Sequence, residues 1–405
     1  MRRAGLLILP FLAIACNIGP EFPLPEPSTD RLPNKKDAAN YEPLNRFAFQ
    51  YADQIKLGSS HNDLVSPLSV GHNLCILLNA TSGSPRSQLL TLFGQSESSL
   101  DEFNESQRAL LNSLRNDDGA PLKTANSLWS IWPMVMDKAF GGDMAAEYDA
   151  VVRKLGGTGV EATRLVNEWA KERTGGQITH VLDELTRKSV ILVVSAASFD
   201  DEWQTPFDPK NTKNARFHTP GGEITAPMMS LTGDFDYWKG DVASAVEIPY
   251  KKGQYSMILI LPAEGKSIDD VRDWLTFENW NAMLGGFSTQ DVALSLPKFS
   301  CDRRYDLIDT VADLGVPDLF TSKCNMRPVS VELERGYSIS IMTHMTKITV
   351  DERGTTAASA GASVATTAAA QVGFAADRPF MYAIVEKRTG VIAFLGALVD
   401  PSEAQ

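Results

Sequence analysis

The chain has 405 residues, a formal charge of −12 and 43% hydrophobic residues. That apolar content suits a globular core, and the length would accommodate two or three domains. The acidic balance excludes a general nucleic-acid binder, which needs a basic face. Five histidines are present, and none stands in a nucleophile-elbow or metal-ligand spacing. Acyl-transfer chemistry needs a base beside a nucleophile, and no such pair is visible, so an enzyme is not expected.

Residues 1–15 read as a targeting segment, with Arg2 and Arg3 ahead of an apolar stretch, Ala4 to Leu12, too short to span a bilayer. Ala13-Ile14-Ala15-Cys16 resembles a bacterial lipoprotein cleavage box, which would make Cys16 the lipidated first residue of the mature chain. Ala13-Ile14-Ala15 would equally serve ordinary secretory cleavage. Either way the expectation is export, lipid-anchored in the cell envelope or secreted, with Cys16 as the one link to a membrane. Residues 16–40 carry Pro20, Pro23, Pro25, Pro27 and Pro33 and read as an extended tether ahead of a folded unit over 41–405. Cys75, Cys301 and Cys324 form neither a zinc pattern nor a disulfide framework, and buried thiols are expected.

Leu44, Phe47, Ala48, Tyr51 and Ile55 repeat at helical spacing. A second helix is predicted over Asn73 to Ala80, capped by Ser66 or Ser69. Thr124 to Trp129 reads as a strand. Val166 to Ala170 belongs to an amphipathic helix ended by Gly175-Gly176. Val190 to Val194 is wholly apolar, as a strand buried on both faces would be. Tyr255 to Pro262 and Ser338 to Val350 read as further strands, and Pro379 to Gly396 as two strands joined by a charged turn containing Gly390.

Between the last of these strands lies the most unusual stretch. From Thr355 to Ala376 there are 22 residues without charge or proline, and eighteen are Gly, Ala, Ser or Thr. A loop this long inside a domain is functional or disordered, and disorder would bring charge and proline. A flexible linker or an Ala-rich helix are the plainer readings; the close flanking strands and the Gly, Thr and Val content argue against them. A segment exposed at one time and buried as a strand at another would need this composition. One face of such a strand would hold Thr355, Ala357, Ser359, Gly361 and Ser363, none of which buries a charge.

Glu352-Arg353-Gly354-Thr355 with its Ala-rich continuation, then Asp377-Arg378-Pro379-Phe380, resembles the two ends of a serpin reactive-centre loop. Asn62 to Val70, Thr124 to Trp129, Val166 to Ile178, Phe199 with Trp203, Phe207, Thr212 and Phe217, Glu247 to Tyr250, and Leu296-Pro297-Lys298-Phe299 resemble other serpin segments in the same order. The resemblance covers residue 40 onward. It implies an α+β serpin fold with three β-sheets, about eight or nine helices and an exposed loop over about 352–376. It also implies inhibition of a serine protease through a covalent complex, by suicide-substrate loop insertion, with no cofactor or metal and a monomeric chain.

The implied site residues follow from the same match. The hinge is Glu352, Gly354, Thr355, Ala357 and Ser359. Lys298 and Glu352 would pair near Trp203, and His344 would bond with Ser66 or groups beside Asn62. Counting fourteen residues on from Gly354 and eleven back from Pro379 places the reactive bond at Ala368–Ala369, which suits an elastase-like or subtilisin-like pocket. The alternative is a non-inhibitory serpin fold acting in surface binding or as a chaperone; such proteins tend to carry bulky, charged or proline residues in the hinge, and this chain has none between Thr355 and Ser363. Departures from the family pattern are Ser195, Ser198, Asp200-Asp201 and Met345, which are expected to loosen hydrogen bonding beneath the central sheet.

Overall fold

The computed structural model describes residues 40–115, 120–131, 135–155, 159–185, 190–334, 336–355 and 371–403. In chain order the elements are α1 (Glu42–Gln54), β1 (Asp63–Val65), α2 (Pro67–Ala80), α3 (Ser84–Leu92), α4 (Leu100–Arg115), β2 (Leu122–Ser130), α5 (Lys138–Tyr148), β3 (Ala150–Lys154) and α6 (Val160–Arg173). Then come β4 (Ile191–Phe199), β5 (Asp201–Glu202), β6 (Lys213–Thr219), β7 (Gly222–Lys239), β8 (Ala243–Pro249) and β9 (Tyr255–Pro262). The remainder is α7 (Ile268–Trp274), α8 (Phe277–Gly285), β10 (Ser288–Pro297), β11 (Phe299–Asp306), α9 (Ile308–Asp313), β12 (Ile339–Val350), β13 (Gly354–Thr355), β14 (Val372–Ala375), β15 (Phe380–Glu386) and β16 (Ile392–Leu398). This is an α+β architecture with nine α-helices among the described residues.

The expected three sheets are joined into two hydrogen-bonded networks. The cause is β7, an 18-residue strand that pairs with β6 at its start, β10 along its middle and β8 at its end. What would be separate sheets therefore share one strand, in the order β1-β16-β15-β9-β8-β7-β10-β14 with β6 on β7. The second network is the main sheet, in the order β3-β2-β4-β12 with β11 beyond β12.

The apolar runs explain which strands lie deepest. Every residue of β4, β9, β15 and β16 is buried. One apolar cluster runs from Tyr41 to Val399, so a single core holds the folded unit together. Helix α2 is almost wholly buried within it. Its start is set by Ser66, whose backbone is extended and whose Oγ accepts the Ser69 N–H at 3.2 Å, with Pro67 in the first turn. A smaller cluster lies on the other face of the main sheet, beneath α6 and the segment that follows it.

Candidate functional site

The hinge is built at the top of the main sheet, where β12 ends. The chain turns at Asp351 to Arg353, and Thr355 pairs back onto Val350. On its other edge β13 pairs with β5, Gly354 opposite Glu202 and Thr355 opposite Asp201. A Cβ on Gly354 would stand 2.1 Å from the Asp201 carbonyl oxygen and 2.6 Å from the Glu202 Cα. The glycine is required by this close approach of two backbones.

Side chains brace the turn from below. Trp203 is fully buried; its backbone N–H donates to the Arg353 carbonyl at 2.7 Å and its Nε1–H to the Asp351 carbonyl at 2.9 Å. The Phe207 N–H donates to the Glu352 carbonyl at 2.8 Å. Trp203 stacks on Tyr250 with centroids 4.6 Å apart, and the Tyr250 hydroxyl lies 2.7 Å from Thr355 Oγ1. The Lys298 ammonium donates to Glu352 Oε2 at 2.7 Å and Thr212 Oγ1 donates to Oε1 at 2.8 Å. Burial opposes the charge on Glu352, but Lys298, a backbone N–H and Thr212 outweigh it and hold the carboxyl below its usual range.

Below the hinge, β4 and β12 are direct neighbours. They pair in parallel from Ile191 opposite Ile339 to Ser198 opposite Lys347. A strand continuing from Thr355 down between them would run antiparallel to β12. Because β4 and β12 point the same way, it would also run antiparallel to β4. One parallel contact would become two antiparallel ones, the slightly stronger pairing per residue.

Under this seam lies a buried polar knot. His344 Nε2 accepts the Ser66 backbone N–H at 2.9 Å, so the ring is neutral with its proton on Nδ1. That Nδ1 lies 2.8 Å from Ser195 Oγ. Burial pushes the His344 pKa down to about 3. Ser66 Oγ donates to the Ala393 carbonyl at 2.8 Å, and Thr346 Oγ1 donates to the Leu64 carbonyl at 2.7 Å. Ser69 Oγ donates to Asn126 Oδ1 at 2.8 Å.

Of the partners named for His344, Ser66 is the one bonded to it, and Asn62 Oδ1 instead accepts the N–H groups of Val399 and Asp400, tying down the chain after β16. One expectation needs correcting here. Ser195 does not loosen the knot, because the register sets it opposite His344 and its hydroxyl reaches the ring. The sequence reading also missed Thr212 and Tyr250 as supports of the hinge, although both stood in matched segments. Cys16, Ala357, Ser359, Ala368 and Ala369 lie outside the described residues. The far end of the loop is anchored where β14 pairs in parallel with β10 and the His218 N–H donates to the Asp377 carbonyl at 2.7 Å. Cys75, Cys301 and Cys324 are buried thiols that form no disulfide among the described residues.

Residues 42–401 match the family profile of Serpin (serine protease inhibitor). The chain belongs to the serpin family. An uncharacterized serpin-like protein of Thermococcus kodakarensis is 28% identical over 391 residues, which span 94% of this chain and 90% of that one. Alpha-1-antitrypsin 1-2 of Mus musculus is 26% identical over 409 residues, 98% of each chain. The crystal structure of the thermophilic serpin tengpin in its native state superposes with a TM-score of 0.82 at 24% identity, covering 93% of this chain and 97% of tengpin. Serpins are protease inhibitors rather than enzymes. In this serpin the seam is closed and the hinge is already paired at its mouth.

Proposed function

We propose that this serpin is an exported suicide inhibitor of an elastase-like or subtilisin-like serine protease, with Ala368–Ala369 as the reactive bond. The observation that carries the reading is the β4–β12 seam, which pairs directly while Thr355 is already hydrogen-bonded at its upper end. The protease serine attacks the Ala368 carbonyl. The Ala369 amine takes a proton and leaves, and an ester joins Ala368 to the enzyme. The freed stretch 356–368 then enters the seam as a strand of roughly 40 Å, at about 3.3 Å per residue. With about 1 kcal/mol net for each new backbone hydrogen bond, insertion gains on the order of ten kcal/mol. The esterified protease is carried to the far end of the sheet, and its distorted site cannot deliver water to the ester.

The composition of the tract supports this reading, since its small uncharged residues can enter a closed sheet without burying charge. Residues 16–40 act as a spacer, and Cys16 as the point of lipid attachment where that cleavage is used. The test incubates the mature protein with pancreatic elastase. A complex that survives denaturing electrophoresis, with a new amino terminus at Ala369 by mass spectrometry, is the expected result. Cleavage without any covalent complex would overturn the inhibitory reading and leave a non-inhibitory binding or chaperone role.

A further inference from the structure

On the outer face of the main sheet, the segment after α6 forms a strap across the β4–β12 seam. Its Ile178, Val181, Leu182 and Leu185 are buried with Leu192, Val194 and Ala196 of β4, and Ile341 and Met345 of β12 pack against the same cluster. The strap is tied firmly to α6. Asn167 Oδ1 accepts the Val181 and Leu182 N–H groups at 2.8 and 3.0 Å, and Asn167 Nδ2 donates to the Leu182 carbonyl at 3.0 Å. Thr163 Oγ1 accepts the Leu185 N–H at 2.9 Å. Across the seam, Arg304 Nη2 of β11 donates to Asp183 Oδ2 at 2.8 Å. Arg304 and then His180, whose Nε2 is 3.0 Å from Asp183 Oδ1, keep that carboxylate ionised.

We infer that Asp183 and Arg304 form a latch across the seam that slows strand insertion. The inference rests on the insertion reading above. Helix α6 packs on β2, on the β4 side of the seam, and Asn167 and Thr163 keep the strap with it. A strand entering between β4 and β12 moves β12 and β11 away by about 4.8 Å, one strand spacing. The latch therefore opens well beyond ion-pair distance. It is made only while the seam is closed, and it must break as the strand enters. Arg304 and Asp183 are both solvent-accessible, so the latch is tunable by salt and by substitution. Exposed pairs of this kind change rates by about two- to five-fold.

The test uses the full-length chain. Thermolysin nicks the loop, and as a metalloprotease it leaves no acyl-enzyme on the product. Insertion is followed by tryptophan fluorescence in stopped flow for wild type, Arg304→Ala, Asp183→Asn and the exchange Asp183→Arg with Arg304→Asp. At 50 mM NaCl the single variants should insert about two- to five-fold faster than wild type. At 1 M the gap should close, and the exchange should return the wild-type rate. Single variants at the wild-type rate in low salt, or an exchange variant as fast as the singles, overturn the latch and leave insertion standing. Nicked wild type with no gain in thermal stability overturns insertion itself, and the latch with it.

Discussion

Replacing Thr355 with glutamate asks whether the hinge feeds a strand into the seam. Thr355 is fully buried, bonded to the Tyr250 hydroxyl, and opposite Asp201 in register. Asp201 is itself buried, with Oδ2 lacking a hydrogen-bond partner, and burial raises its pKa. Glutamate is chosen over arginine because arginine would find that carboxylate. A second carboxylate here meets like charge across the register, and an uncompensated buried charge costs about 3–5 kcal/mol. In the uncut chain the charge is relieved by lifting β13 out of the mouth of the seam, so insertion must bury it again; if about 3 kcal/mol of this falls on the barrier to insertion, the step slows about 150-fold. Residues around Ala368 are untouched, so a protease should still cut the loop. Deacylation then wins, and the moles of inhibitor consumed per mole of elastase silenced should rise from near one to above about ten. The assay titrates elastase activity and follows the covalent band on a denaturing gel. A variant with unchanged stoichiometry and an undiminished band would refute insertion from this hinge.

Glu352→Lys sets a second ammonium against Lys298 in place of a 2.7 Å ion pair, and it strips Thr212 of its acceptor. The hinge should lift, exposing strand edges that accept the loop of another copy. Size-exclusion chromatography after mild heating should show oligomers, and a variant that stays monomeric counts against the bracing role of the pair. His344 predicts a pH dependence. The folded ring stays neutral down to about pH 3, whereas an unfolded histidine takes up its proton near 6.5. The unfolded state therefore binds more protons between those values, and stability present above pH 6.5 is lost as pH falls through that window. Between pH 7 and pH 5 this contributes about 2 kcal/mol. Denaturant unfolding of wild type and His344→Gln at both pH values should differ by that amount, and equal losses would show that the ring is not held neutral.

The strands that matter were legible because their apolar runs are long and bounded by turns. Tyr255 to Pro262 and Ser338 to Val350 fall within a residue of β9 and β12. The cap of α2 was narrowed to two serines, and local backbone geometry selects Ser66. Of the partners of His344, Ser66 was legible only through the resemblance, and Ser195 was not. Both depend on the register of β4 against β12, and on which backbone group at the start of α2 reaches the gap between them. A one-residue slip would exchange Ser195 for Val194 or Ala196. The joining of sheets through β7 was also hidden, because nothing in its 18 residues marks where one set of neighbours gives way to the next.

By itself the sequence determined the existence of the tract from Thr355 to Ala376, its freedom from charge, and the strands that hold its ends. Those are properties of composition and local pattern, which each stretch of chain carries wherever it lies. Only the tertiary structure decided that β4 and β12 touch, that they run in parallel, and that Asp183 reaches across them to Arg304. Such facts join residues more than a hundred positions apart. They arise from the packing of helices and sheets around one core, a balance of burial and chain entropy that no single stretch contains.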